Sequence, residues 1–131
     1  MKSIASGKVL WCFDFELLQR NPASDYLIHF SRIKPFHCHE AVITITDTAI
    51  AIRGDINQDI PLASIDQLYL GFDEYFPRGL SKNFGLLWQP LRITLPNRVK
   101  LYLIIDYYIF GTKNKAWYQL VKNLLSDTRQ M

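Results

Sequence analysis

NKAWYQLVKNLL, residues 114–125, decides how the rest of the chain is read. Trp117, Leu120, Val121 and Leu124 recur at helical spacing and share one stripe, while Lys115, Lys122 and Asn123 fall off it. Asn114 stands where an N-cap is expected. A helix with one apolar stripe must cover something. Burying these four side chains is worth about 6 to 12 kcal/mol as an upper bound, which rivals the net stability of a whole domain. The helix is therefore structural first, and the four residues act as a plug.

What it covers is written upstream in short extended segments. AVITIT (41–46) and AIAIR (49–53) flank Asp47 and Thr48, the pattern of a tight hairpin. RGDINQD (53–59) is a turn cluster, and IPLASIDQLYLGF continues as an extended run after Pro61. GLLWQPLRITL (85–95) is interrupted by Pro90, which points to an edge strand or a bulge. PNR (96–98) then turns into VKLYLIID (99–106). Its alternation puts Val99, Leu101, Leu103 and Ile105 on the core side and Lys100, Tyr102, Ile104 and Asp106 on the other. YLIHFSRI (26–33) is also strand-like, and VLWCFDFELL suits either a strand or a helix.

The 131 residues fit one domain, 1–131, large enough to need neither disulfide nor metal to hold together. Apolar residues at 49% against charged residues at 21% give a folded rather than a disordered chain. The net charge of +3 is spread along the sequence without a basic block, so no nucleic-acid partner is expected. The N-terminus lacks the signature of an export signal, and no window is long enough to span a bilayer. The expected compartment is the cytoplasm, with Cys12 and Cys38 as free thiols.

Short antiparallel strands closed by a C-terminal helix with an early tryptophan resemble the pleckstrin-homology-like (PH-like) superfold, in particular its bacterial members. ITITDTAIAIRG (43–54) is similar to their strand, tight turn and strand. DIPLASIDQLYL (59–70) looks like their Ile-Pro-Leu step before a further strand. NKAWYQLVKNLL is similar to the closing helix, with Trp117 at the position that plugs the open barrel end. These segments cover most of residues 38–126, and residues 1–37 read as an N-terminal extension or outer strands. The resemblance implies a mainly β fold with one C-terminal helix, a partly open barrel or orthogonal sheets of about seven strands. It also implies a docking module without a shared active site, whose ligand the fold does not supply. Lipid-binding members often carry basic residues in the first hairpin, and Thr46, Asp47 and Thr48 lack them.

FHCHE (36–40) raises the question of a metal centre. Along a strand His37 and His39 share one face, with Cys38 and Glu40 on the other. If 26–33 paired with 38–44 through Lys34 and Pro35, His29 would approach His39, and a His29/His37/His39 cluster could serve a small metal-assisted hydrolase. The same face carries Ile43 and Ile45, so histidines satisfied by hydrogen bonds are the preferred reading, with no metal and no cofactor. A Cys38–histidine pair is poorly placed for catalysis on opposite strand faces. DINQD (55–59) mimics a calcium loop but has Ile60 where the sharp bend needs glycine, so a turn is expected. There is no phosphate loop and no nucleophile elbow.

GFDEYFPRGLSKNFG (71–85) reads as a long loop mixing aromatic and basic residues, and long loops often carry function. Tyr75, Phe76, Arg78, Lys82 and nearby Arg92 are its candidate partner-binding residues, unless Tyr75 and Phe76 fold back over the core. Arg78, Lys82 and Arg92 would contribute about 3 kcal/mol together at an anionic membrane, weaker than about millimolar. A protein or peptide partner is therefore preferred over an anionic lipid surface. The expected function is a non-catalytic interaction module. The alternatives are the histidine metalloenzyme or a structural homo-oligomeric subunit that pairs edge to edge through the Pro90 strand.

Overall fold

VLWCF, which suits two readings in the sequence, is a strand. The computed structural model describes residues 3–17, 37–73, 76, 88–108 and 111–129. His29, Tyr75, Arg78, Lys82 and the strand expected at 26–33 lie outside those residues. The chain opens with β1 (Ala5–Phe13) and one helical turn, α1 (Asp14–Leu17). Glu16 stops the strand: its Oε1 accepts from the Phe13 N–H at 2.8 Å, as the third residue of a capping box does. There follow β2 (His39–Ile45), β3 (Ala49–Gly54), β4 (Gln58–Pro61), a 3-10 turn (Leu62–Ser64), β5 (Gln67–Leu70), β6 (Leu91–Thr94), β7 (Lys100–Ile105) and α2 (Asn114–Arg129).

All seven strands form one antiparallel sheet in the order β4-β3-β2-β1-β7-β6-β5, curled into a half-barrel. A mainly β fold of seven strands with one closing helix is what the sequence leads one to expect. The place of β1 is not. It is the middle strand, paired with β2 on one side and β7 on the other, and not an outer one. Among the described residues the edges are β4 and β5. β6 is bonded on both sides, by β5 and β7, so the strand after Pro90 offers no free edge for pairing with another copy. Pro90 sits just ahead of β6, where its missing N–H costs no ladder bond, and its carbonyl accepts from Gly71 at 3.1 Å.

Side chains from alternating positions build two apolar clusters on opposite faces. Val9 and Trp11 of β1 join Ile43, Ile45, Ile50, Ile52, Ile93, Leu101, Leu103 and Ile105 on the face that α2 covers. Leu10 and Cys12 join Leu17, Phe76, Trp88, Tyr102 and Ile104 on the other. β7 is buried on both faces from Leu101 to Ile105. Tyr102 and Ile104 are therefore interior, contrary to the one-sided alternation read from VKLYLIID. Strands flanked and covered on both sides read as continuous apolar runs, not as alternating ones.

The helix meets the sheet through Trp117, Val121 and Leu125, all buried in the first cluster, with Leu120 and Leu124 partly buried beside them. Leu125 joins the stripe read from the sequence and shifts its centre to every fourth residue. α2 packs on the 3-10 turn and on β5, β6 and β7. Asn114 does not cap its own helix. Its side chain is 1% exposed. Oδ1 accepts from the Ile105 N–H at 2.7 Å, and Nδ2 donates to the carbonyls of Leu103 at 3.0 Å and Gln89 at 2.7 Å. The Asn114 N–H is taken by Thr112 Oγ1 at 3.2 Å.

Replacing Asn114 by alanine strands two buried backbone groups, the Ile105 N–H and the Leu103 carbonyl, and frees the part-buried Gln89 carbonyl, at roughly 1 to 3 kcal/mol for each buried group left unsatisfied. Equilibrium urea unfolding should show a loss of about 3 kcal/mol or more. The isosteric Asn114→Asp should also destabilise, because a carboxylate cannot donate to two carbonyls. A wild-type midpoint for Asn114→Asp would show that shape, not hydrogen bonding, holds the helix.

Candidate functional site

β1 and β2 run in register to Trp11 and His39, and polar chemistry gathers at that end. The His39 ring lies 4.6 Å from the Trp11 indole, centroid to centroid. Its Nδ1 is 2.7 Å from Asp55 Oδ2, and its Nε2 is 2.8 and 2.9 Å from the two Glu16 oxygens. Both nitrogens face carboxylates, so the ring satisfies both partners only by donating from each, as imidazolium. Burial pushes the His39 pKa down, but the Asp55 and Glu16 contacts outweigh it and leave the pKa raised. The hydrogen bond from His39 in turn holds the Asp55 carboxyl below its usual range. The effect is a clamp that ties α1, the start of β2 and the turn after β3 together.

This geometry settles several chemical questions raised by FHCHE and DINQD. His39 has no nitrogen left for a metal or for service as a base to Cys38. His37 stands just ahead of β2, with Nε2 3.7 Å from Glu40. Pairing of 26–33 with 38–44 would need a free edge of β2, and both its edges are taken, by β1 and β3. Among the described residues no group of His, Cys, Asp and Glu is arranged to hold a metal ion. Asp55, the first residue of the apparent calcium loop, is the partner of His39. Asn57 closes the turn by accepting from the Gly54 N–H at 3.1 Å.

Of the residues expected to meet a partner, the two within the described part point inward. Phe76 is 1% exposed and stacks on Tyr102, with ring centroids 5.8 Å apart. Arg92 donates to Asp73 Oδ2 at 2.7 Å and to Gln67 Oε1 at 2.8 Å, under the Tyr69 ring at 4.5 Å. Asp73 also accepts from the Tyr102 hydroxyl at 2.6 Å and the Phe76 N–H at 2.8 Å. Burial, and then the Asp73 contact, push the Tyr102 hydroxyl far above its ordinary pKa. These bonds fasten the start of the 71–85 connection to the sheet.

A surface the sequence reading missed lies on the face opposite α2. Lys8, Val42 and Arg53 are consecutive register partners across β1, β2 and β3 and therefore share that face. Leu10 and Glu40 form the next row. With Asp106 and Tyr107 they line a groove of about 630 Å³. Val42 is 48% exposed within it. The backbone is pinned at the rim: the Asp106 carboxylate accepts from the Lys8 N–H at 2.9 Å, and the Asp106 N–H donates to the Lys8 carbonyl at 2.7 Å. The hint in the sequence was Val42 between Glu40 and Thr44 on one strand face, which is also what an ordinary solvent face looks like.

No helix among the described residues is long and apolar enough to cross a membrane. No protein-family model matches the chain, and no curated protein matches it significantly.

Two outcomes follow from the ion pairs. A raised histidine pKa contributes stability that is full below the unfolded value of about 6.5 and is lost as pH rises through the folded value. The depressed Asp55 adds stability above the ordinary carboxylate pKa that is lost as pH falls. The stability gap between wild type and His39→Gln, read from denaturant midpoints, should be widest at mildly acidic pH and shrink toward alkaline pH. A gap independent of pH would mean a neutral ring. Arg92 and Asp73 are 13% and 15% exposed, so Arg92→Met leaves a largely buried carboxylate and should cost about 3 kcal/mol in the same assay. Tyr102→Phe should cost less, about 1.5 kcal/mol, because it removes one hydrogen bond to a carboxylate that keeps its Arg92 partner.

Proposed function

We propose that this chain is a non-catalytic interaction module of PH-like type that binds a peptide segment of a protein partner in the groove between Lys8, Val42 and Arg53. The observation that carries the reading is the cross-strand row in which an exposed aliphatic side chain lies between two basic ones. Neighbouring strands are about 4.8 Å apart, so Lys8 and Arg53 stand about 10 Å apart on either side of Val42. That spacing suits a segment with an apolar residue flanked by acidic or carbonyl groups. Asp106, beside Lys8 at the end of the same row, and Glu40 in the next row break up the positive field, which disfavours a polyphosphate headgroup and favours a partner of mixed charge.

The architecture supports the same reading. A curled seven-stranded sheet stoppered by Trp117 is what the PH-like resemblance implies, and in that superfold docking is the common task. The saturation of His39 by Glu16 and Asp55, and of Arg92 by Asp73, fits a structural use of the ionisable groups. The Thr46–Thr48 turn joins β2 to β3 and is the second connection of the sheet. The first runs from β1 to β2, and its sequence includes Arg20, Arg32 and Lys34. The lack of basic residues at 46–48 therefore bears on the wrong hairpin and does not argue against an anionic surface. The groove's mixed charge is what favours a peptide.

Screening against an array of peptides with alternating acidic and aliphatic residues, with NMR mapping of the hits, tests the proposal. Shifts should cluster on Lys8, Val42 and Arg53, and Val42→Asp should abolish binding while leaving the spectrum folded. Binding only to vesicles rich in anionic lipid, with this row silent, would overturn it.

A further inference from the structure

Cys12 and Cys38 lie far apart in sequence but side by side in the fold. β1 and β2 are in register to Trp11 and His39, and the Cys38 N–H donates to the Trp11 carbonyl at 3.1 Å. That bond falls one residue out of the register, so Cys38 and His39 both stand against Trp11 and the chain bulges there. The bulge brings Cys38 against the Trp11–Cys12 step of β1 at a strand spacing of about 4.8 Å. A disulfide needs Cα atoms about 4.4 to 6.8 Å apart. Their exposure is unequal. Cys12 is 1% exposed, inside the cluster with Leu10, Leu17 and Tyr102, while Cys38 is exposed. The two thiols lie close enough that each is the largest influence on the other's ionisation.

We propose that Cys38 and Cys12 form a thiol–disulfide exchange site for small disulfides, with exposed Cys38 as the attacking sulfur and buried Cys12 as the resolving one. The nearby Cys12 thiol lowers the Cys38 pKa, and the His39 imidazolium adds to this against the opposing effects of burial and Glu16. The same proximity, with burial, pushes Cys12 far up. Cys38 is therefore the sulfur that ionises, and the thiolate is the nucleophile.

In the first step the Cys38 thiolate attacks one sulfur of R–S–S–R. That S–S bond breaks, RS⁻ leaves and takes a proton from water, and Cys38 carries –S–S–R. Loss of the Cys38 charge removes the main influence that held the proton on Cys12. Cys12 then gives its proton to water, attacks the Cys38 sulfur and expels the second RS⁻, closing the Cys12–Cys38 bond. Two protein thiols are oxidised, and one small disulfide is reduced to two thiols. The new bond would tie the end of β1 to the residue entering β2, next to the His39 clamp.

The test is intact-mass analysis of the folded, reduced chain after exposure to cystamine. Wild type should lose two hydrogens and keep no adduct, with peptide mapping showing Cys12 joined to Cys38. Cys12→Ala should stop at one cysteamine adduct on Cys38, and Cys38→Ala should remain unmodified. Wild type that ends as a stable Cys38 adduct with Cys12 still a thiol would overturn the proposal, and this arm needs no variant. Equal reactivity of Cys12 in the folded Cys38→Ala chain would overturn it as well.

Discussion

The amide of one side chain, Asn114, holds the two halves of the structure together. A curled sheet open at one side leaves Trp11, Ile43, Ile93 and their neighbours facing water unless something covers them. The covering helix carries the apolar stripe, but a stripe alone does not set where a helix sits along a sheet. Asn114 supplies the position. It bonds to both Ile105 and Leu103 of β7 and to Gln89 ahead of β6, in a site where a displaced amide would leave several groups without water or partner. With the first residue of α2 anchored there, Trp117, Val121 and Leu125 fall into the cluster in turn.

β1 has the complementary role. It is the middle strand, and its alternating side chains enter both apolar clusters, so the two faces of the sheet are coupled through one nine-residue segment. Both chemical features at the His39 end depend on where β1 stops. Glu16, one turn beyond the strand, reaches back to the Phe13 N–H and across to His39. Cys12, the penultimate residue of the strand, meets Cys38. A histidine held between two carboxylates and a thiol pair with one buried member are thus consequences of a single strand end.

Much of this was legible in the residues. The closing helix, the hairpin at Asp47–Thr48, the strand at 99–106 and the turn at 53–59 each have a local physical signature: a period, a turn pair, a cluster of turn formers. The satisfied state of His39 was also readable, because its face carries Ile43 and Ile45. Its partners were not, since Glu16 and Asp55 are distant in sequence and ordinary in context. The inward turn of Phe76 stood only as one of two readings and that of Arg92 escaped, because a stretch rich in aromatic and basic residues reads alike whether its side chains meet a partner or fold onto Tyr102 and Asp73.

By itself the sequence determined which segments extend, which one coils and which side chains seek burial, because those properties depend on neighbours a few residues away. Only the tertiary structure decided that β1 lies at the centre, that β7 is covered on both faces, that Asn114 binds the sheet instead of its own helix, and that Cys12 meets Cys38. Each of these is a contact between positions remote along the chain. Strand order and pairing partner leave almost no trace in local composition, since any apolar strand can lie beside any other until the whole sheet selects one arrangement.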